Sequence, residues 1–341
     1  MTTTISTNTS TSTQWQLVSR PKGEPTADNV AKVEVELPDL SAGEVRVRNT
    51  YFSVDPYMRG RMNEGRSYVA PFALNETMEG AAVGEVIESQ DDSLPIGTLV
   101  QHQLGWRDIA QGPAAQFRPL PSIPGVSPSL FLSVLGITGI TAWVGLTQIA
   151  GIKEGDTVFV SGAAGGVGTM VGQIARLLGA SRVIGSAGTA EKVTTLTEKY
   201  GYDAAFNYRD GDLSEQLASA APDGIDVYFD NVGGDHLTAA LGAFNDGGRA
   251  AICGAISLYN ANGDIGVRNM SNIVTRGLTL KGFTMGNYFQ FAPQFGEAMR
   301  GWLGDGKIAY DETISEGIDS AFDAFTGMMN GANTGKAIVR L

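Results

Sequence analysis

At 341 residues the chain exceeds the length that one hydrophobic core usually supports, so two domains are expected. Hydrophobic residues at 43% and charged residues at 18% describe a globular chain, and a net charge of −12 without any clustered run of Lys and Arg argues against nucleic acid as a partner. One cysteine, Cys253, rules out an intrachain disulfide and a thiolate-rich zinc centre, and with only His102 and His236 beside it a catalytic zinc triad of Cys and His is nearly impossible, so metal-free chemistry is expected. Residues 1–13, MTTTISTNTSTST, have neither a basic n-region nor an apolar h-region. They read as a disordered polar leader rather than a signal peptide, which favours a cytoplasmic location. From Gln14 to about Gly105, short apolar or alternating runs (VEVEL, EVRVRNTYFSV, GAAVGEVIES) broken by Pro, Gly and Asp predict a small β-rich barrel. Between Pro119 and Ile152 only uncharged residues occur, but the Gly, Ser, Thr and Gln content there favours a buried helix over a membrane span. From about Ser129, apolar runs alternate with helical patterns (DTVFVSG, VGTMVGQIARLLGA, RVIGSAG, AEKVTTLTEKYG), which predicts βαβ units and a parallel sheet covered on both faces. After about Gln294 two helical runs and the strand KAIVRL are too short for a core of their own and are expected to return to the first domain. The fold class is therefore α/β, with residues 14–128 and 299–341 in one domain and 129–298 in the other.

The run SGAAGGVG, Ser161 to Gly168, follows a predicted strand and opens a predicted helix. Ala163, Gly165 and Gly168 have the GxGxxG spacing with alanine in first place, while Gly166 and Val167 fill the gap. Such a turn brings backbone N–H groups and a helix N-terminus against a pyrophosphate, where side chains would block the approach. An NAD site usually has an acid about 20 residues on, at the end of the second strand, to take the ribose 2′-OH. Here the chain reads GSAGTAEK, residues 185–192. Small residues, Ser186 and Gly188 among them, leave room there, and Lys192 brings a positive charge. The missing acid thus points to the 2′-phosphate of NADP(H).

VDPYMRGRM (54–62), AAGGVG, AFNY (205–208), FDNVGG (229–234), CGAISLYN (253–260) and the terminal GANTGKAIV together resemble one branch of the medium-chain dehydrogenase/reductases. That branch contains the zinc-free leukotriene and prostaglandin reductases, the plant alkenal double-bond reductases and the bacterial curcumin reductases. The resemblance implies a GroES-like β-barrel catalytic domain, a Rossmann domain with a doubly wound parallel sheet, and a homodimer. It also implies NADPH-dependent reduction of the carbon–carbon double bond of an enone or alkenal. By position, it makes Lys192 and Tyr208 contacts of the 2′-phosphate and Asn231 a ribose contact. Cys253, Gly254, Ala255, Ile256 and Tyr259 become the wall beside the nicotinamide, Phe283 and Met285 line the same region, and Asn333 reaches the cofactor from the C-terminal return. Trp143 and Thr138 stand where the family commonly has tyrosine and proline, so pocket size is expected to differ.

Hydride addition to the β-carbon builds negative charge on the carbonyl oxygen, which needs a hydrogen-bond donor. Without a metal, a phenol of ordinary pKa near ~10 is a suitable neutral donor. Tyr259 is the first candidate, with Tyr57 and Tyr68 next. Cys253, with no neighbouring His or Lys in sequence, reads as a packing residue, and both histidines read as structural. Two other functions compete: a zinc-free quinone reductase, which need not carry VDPYMRGRM or CGAISLYN, and an NADPH-binding redox sensor without catalysis.

Overall fold

A computed structural model describes residues 10–65, 67–123, 125–261 and 266–341. The chain divides into two compact units. The first takes the N-terminal part to Leu132 with Ile314–Thr326 and Ile338–Leu341; the second takes Ser133–Thr313 with Gly327–Ala337.

In the first unit, strand Glu44–Ser53 is the hub of the main sheet. It pairs antiparallel with Ala82–Ser89, with Ile109–Pro113 and with Lys336–Arg340. Alternation along EVRV sends Val45 and Val47 into a core with Val86, Val100, Ala110 and Phe117. A smaller sheet corrects one expectation from the sequence. Ser10–Thr13, assigned to the polar leader, form the start of strand Ser10–Leu17, which runs antiparallel to Val30–Leu37. Ser12 and Thr13 are spent on structure: Ser12 is fully buried and its hydroxyl donates to the Ile109 carbonyl at 2.7 Å, while the Thr13 hydroxyl donates to Glu34 Oε1 at 2.8 Å and its N–H to Asp108 Oδ1 at 2.9 Å. Residues 1–9 of that leader lie outside the described residues.

The second unit holds six parallel strands: β1 (Thr157–Val160), β2 (Arg182–Ala187), β3 (Ala204–Asn207), β4 (Ile225–Asp230), β5 (Phe244–Ile252) and β6 (Thr279–Gly282). Their spatial order is β3-β2-β1-β4-β5-β6, so the direction of winding reverses between β1 and β4, as in the Rossmann fold. Both faces are covered, which is why the strands read as apolar runs rather than alternating ones. Phe159 of β1 stacks on Phe206 and Tyr228 at 5.9 and 5.1 Å between ring centroids. Helix α1 (Gly166–Leu177) follows β1 and buries Met170, Val171, Ile174 and Ala175. Helix α2 (Ala190–Glu198) follows β2, α3 (Leu213–Ala220) follows β3, and α4 (Gly234–Ala243) follows β4.

Segments 299–313 and 327–337 group with this second unit, where the sequence suggested a return to the first. The reason lies in local bonding. Helix Ala292–Gly304 runs unbroken through position 299 and buries Phe295 and Met299. Gln173 of α1 then exchanges two bonds with Ala309, donating to its carbonyl at 2.9 Å and accepting its N–H at 2.7 Å. The uncharged stretch before β1 contains helix Ile137–Val144 and a wider helical turn, Gly145–Ala150. Among the described residues no helix is long and apolar enough to cross a membrane.

Candidate active site

The glycine turn leaves β1 and enters α1 as the sequence suggests, and each of its positions has its own task. Ala163 and Gly168 are buried, and a Cβ on Gly168 would stand 2.4 Å from the Gly162 carbonyl oxygen. Gly168 is therefore demanded by the packing of helix on turn. Gly165, Gly166 and Val167 are half-buried at the mouth. A Cβ on Gly165 would meet only the Gly162 oxygen, at 3.3 Å. Gly165 is also the N-cap of α1 and offers no side chain to the first N–H groups of the helix, which leaves them to an anion. The C-terminal return flanks the turn: the Gly335 N–H donates to the Ala164 carbonyl at 2.8 Å, and Asn333 Nδ2 donates to the Gly335 carbonyl at 2.6 Å. Asn333 is thus held near the turn by its own loop. Thr138 is buried with its methyl 3.1 Å from a Cβ placed on Gly166, so this departure from the family pattern touches the same turn.

At the end of β2 the vacancy left by the missing acid is only partly open space. Gly185 is glycine for packing, because a Cβ there would come within 2.9 Å of Ala163 and of the Tyr202 ring. Ser186 is fully buried, its carbonyl accepts the Ala163 N–H, and its Oγ has no hydrogen-bond partner. Gly188 does leave room, with the Tyr208 hydroxyl 3.1 Å from the position of its absent Cβ. Lys192, in the first turn of α2, donates from Nζ to the Gly331 carbonyl at 2.7 Å. Burial, and then the nearby charge of Arg209, lower its pKa. The Tyr208 ring is wedged between the His236 ring, edge-on at 5.0 Å, and the Arg209 guanidinium at 5.5 Å. Arg209 was not singled out from the sequence, although its place directly after Tyr208 in AFNYRD was a usable signal.

Where the winding reverses, a buried network ties β1 to β4. Asp230 Oδ1 accepts from the Ser161 and Tyr228 hydroxyls at 3.1 and 2.7 Å and from the Val232 and Gly233 N–H groups at 2.9 and 2.7 Å. Oδ2 has no partner, and burial raises the carboxyl pKa. Asn231 bonds back to Ser161 through its N–H at 3.0 Å and its Nδ2 at 2.8 Å, leaving its side-chain oxygen as an acceptor for a ligand. The Asp230 carbonyl accepts from the N–H groups of Cys253 and Gly254, which brings in the segment after β5. There Gly254, Ala255 and Ile256 are half-buried, and Tyr259 ends a single helical turn. The Tyr259 oxygen lies 3.4 Å from the Ala255 N–H, which donates to it. Burial raises the Tyr259 pKa, so the phenol keeps its proton at neutral pH. Cys253 is half-buried, and burial with Asp230 close by pushes its thiol up to about 12, which suits packing and not nucleophilic attack.

Phe283 meets Phe229 and Tyr288 edge-on at 6.3 and 6.2 Å, and Met285 is half-buried in the turn between Phe283 and Tyr288. Trp143 and Tyr288 both lie 6.4 Å from Phe291, so an aromatic cluster replaces the expected tyrosine at 143. Tyr57 and Tyr68 belong to the first unit. Tyr57 opens the short helix Tyr57–Arg61, and burial followed by the nearby Asp55 carboxylate raises its pKa. Tyr68 is 65% exposed, which gives it less in common with Tyr57 than the sequence suggested.

A family profile described as the N-terminal domain of oxidoreductase matches residues 13–120, and one described as zinc-binding dehydrogenase matches 166–300. The described residues do not fit a zinc ion: no three of His, Cys, Asp and Glu are placed to hold one, and His102 Nδ1 already accepts the Leu104 N–H. The chain is 40% identical over 310 residues to 2-alkenal reductase (NADP(+)-dependent) of Nicotiana tabacum, covering 90% of each chain. It is 37% identical over 334 residues to the NADPH-dependent curcumin reductase of Escherichia coli, covering 96% of each. The crystal structure of CurA in complex with NADPH from Vibrio vulnificus superposes with a TM-score of 0.91 at 39% identity, over 96% of this chain and 98% of that one.

Proposed function

Since the chain belongs to the medium-chain dehydrogenase/reductases, in the branch of the 2-alkenal and curcumin reductases, we propose that it reduces the carbon–carbon double bond of α,β-unsaturated ketones and aldehydes with NADPH. NADPH, when bound, supplies a hydride for the β-carbon. The glycine turn from Ala163 to Gly168 offers its open backbone and the α1 N-terminus to the pyrophosphate. Lys192 and Tyr208 would hold the 2′-phosphate at the strand end that carries Ser186 and Gly188, and Asn231 would take the ribose. Cys253, Gly254, Ala255, Ile256, Phe283 and Met285 would wall the nicotinamide, and Asn333 would steady the cofactor from the C-terminal side.

The observation that carries the chemistry is the state of Tyr259. Its oxygen accepts a backbone N–H, so its own proton is unspent, and its raised pKa keeps that proton in place. It can therefore donate a hydrogen bond to the carbonyl oxygen as enolate charge develops there. Tyr57, also protonated, is the second candidate donor and Tyr68 the third. We further infer a homodimer, supported by the edge position of β6 and by exposed Met270 and Val274 shortly before it in the chain, and a cytoplasmic location, as the reductase reading suggests. The test is to mix the protein with NADPH and a simple alkenal and follow the loss of nicotinamide absorbance. Turnover is expected. Turnover with quinones but none with alkenals would shift the reading to a quinone reductase, and no turnover with either would leave a binding protein.

A further inference from the structure

We propose that Arg209 is a specificity-determining residue for the cofactor: its guanidinium and the Lys192 ammonium form a two-cation receptor for the adenosine 2′-phosphate. The proposal rests on the NADPH reading above and adds a residue to it.

The two cations are placed against ordinary expectation. In a chain of net charge −12, exposed Lys and Arg side chains readily find carboxylate partners, yet among the described residues neither of these forms an ion pair, Glu191 acting on Lys192 only from beyond ion-pair distance. Lys192 instead points at a carbonyl, that of Gly331, which satisfies one of its three N–H donors, and the adjacent Glu191 offsets its charge less than Arg209 opposes it. Arg209 lies over the Tyr208 ring, its guanidinium hydrogen-bonded to none of the described residues, and its nearest acidic neighbour in sequence, Asp210, accepts from Asn207 Nδ2 at 2.8 Å. Pairing of β2 with β3, the Tyr208 N–H donating to the Ala187 carbonyl at 3.1 Å and the Tyr208 hydroxyl over Gly188 bring Lys192 and Arg209 to the same end of the sheet, where the charge of Arg209 is the main electrostatic cause of the lowered Lys192 pKa. Two like charges left facing one another are destabilising unless an anion is shared between them.

The surroundings fix what kind of anion fits. The N-terminus of α2 lies at the same place, with Thr189 as its cap, and favours negative charge. The Tyr208 hydroxyl sits over Gly188, where any side chain would crowd it, and can donate a third hydrogen bond. The His236 edge keeps the Tyr208 ring from tilting, which in turn keeps the guanidinium over it. A phosphate monoester carries about −1.5 to −2 charges at neutral pH and three acceptor oxygens, one for each of Lys192, Arg209 and Tyr208. A 2′-hydroxyl gives the two cations nothing to neutralise. The fork of arginine also grips two oxygens at once, which lysine does not.

The test measures dissociation constants of NADPH and NADH for the wild-type protein, Arg209→Gln, Arg209→Lys and Lys192→Ala. A charge-assisted bond of this kind corresponds to about tenfold to a hundredfold in affinity. Arg209→Gln is expected to weaken NADPH by that factor while the NADH constant stays put, and Arg209→Lys should recover part of the loss. Competition by 2′-AMP against bound NADPH should weaken in parallel, and competition by 5′-AMP should not. If Arg209→Gln keeps the wild-type ratio of the two constants while Lys192→Ala loses it, Arg209 has no such role and the NADPH reading stands. A wild-type protein that does not prefer NADPH over NADH would overturn both. Equal weakening of NADPH and NADH in Arg209→Gln would mark a structural role and overturn the proposal alone.

Discussion

Tyr259 and its neighbours show how a side chain's chemistry depends on what has already claimed its atoms. A phenol that accepts one backbone N–H and keeps its own proton uncommitted is free to donate, and that is the role proposed for it in the reaction. Tyr259→Phe should lower turnover by about a hundredfold or more, the usual cost of losing one oxyanion donor, while NADPH affinity measured by fluorescence changes little. Unchanged turnover would pass the role to Tyr57. Much of this was legible in the sequence, because glycine spacing, a missing acid and a tyrosine in CGAISLYN are all local signals. What stayed hidden required knowledge of spatial neighbours. Gly185 looked like space for a phosphate and is instead pressed against Tyr202, a residue of the following loop. Arg209 gained meaning only once β2 and β3 were paired, which sets Ser186 beside Phe206 and so carries Tyr208 and Arg209 to the end of β2.

The β1–β4 junction illustrates what strand order adds. Ser161 and Asp230 are far apart in sequence, and only the reversal of winding makes β1 and β4 neighbours and lets the two side chains meet. Asp230→Ala would strip partners from two buried hydroxyls and two N–H groups at once, each costing about 1–3 kcal/mol when left unsatisfied and only partly recovered by relaxation. A drop in melting temperature of several degrees is expected in thermal denaturation, with Asp230→Asn closer to wild type because its amide oxygen can still accept. If Asp230→Ala melts with the wild type, the network contributes little. Strand Ser10–Leu17 teaches the converse lesson. STSTQWQL has the alternation of a strand, with β-branched Thr11 and Thr13, but its serines and threonines match a solvated leader equally well in composition. Pairing with Val30–Leu37 decides between the two, and that pairing lies outside any window of ten residues.

Acid sensitivity is a property of the entire chain, since each unit carries one buried histidine. Burial lowers the pKa of His102 to about 3 and that of His236 to about 4. The unfolded chain takes up a proton near pH ~6.5, where the folded chain refuses it, so the folded state is favoured above that pH and loses ground as pH falls from there toward about 4 and about 3. Melting temperature should therefore decline steadily below pH ~6.5, and His236→Asn should decline less over the same range. An identical decline in that variant would assign the effect to carboxylates alone. The same breadth of view applies to the turn that Gly335 closes. Every described strand of the parallel sheet is complete by residue 282, yet the bond from Gly335 to Ala164 waits for a segment well downstream of it. On the ribosome, where the N-terminal part emerges first, the sheet can assemble well before the pyrophosphate turn is braced. Bracing of the nucleotide turn thus comes after assembly of the sheet, and a chain cut short after residue 326 would keep its sheet while losing its grip on the nucleotide.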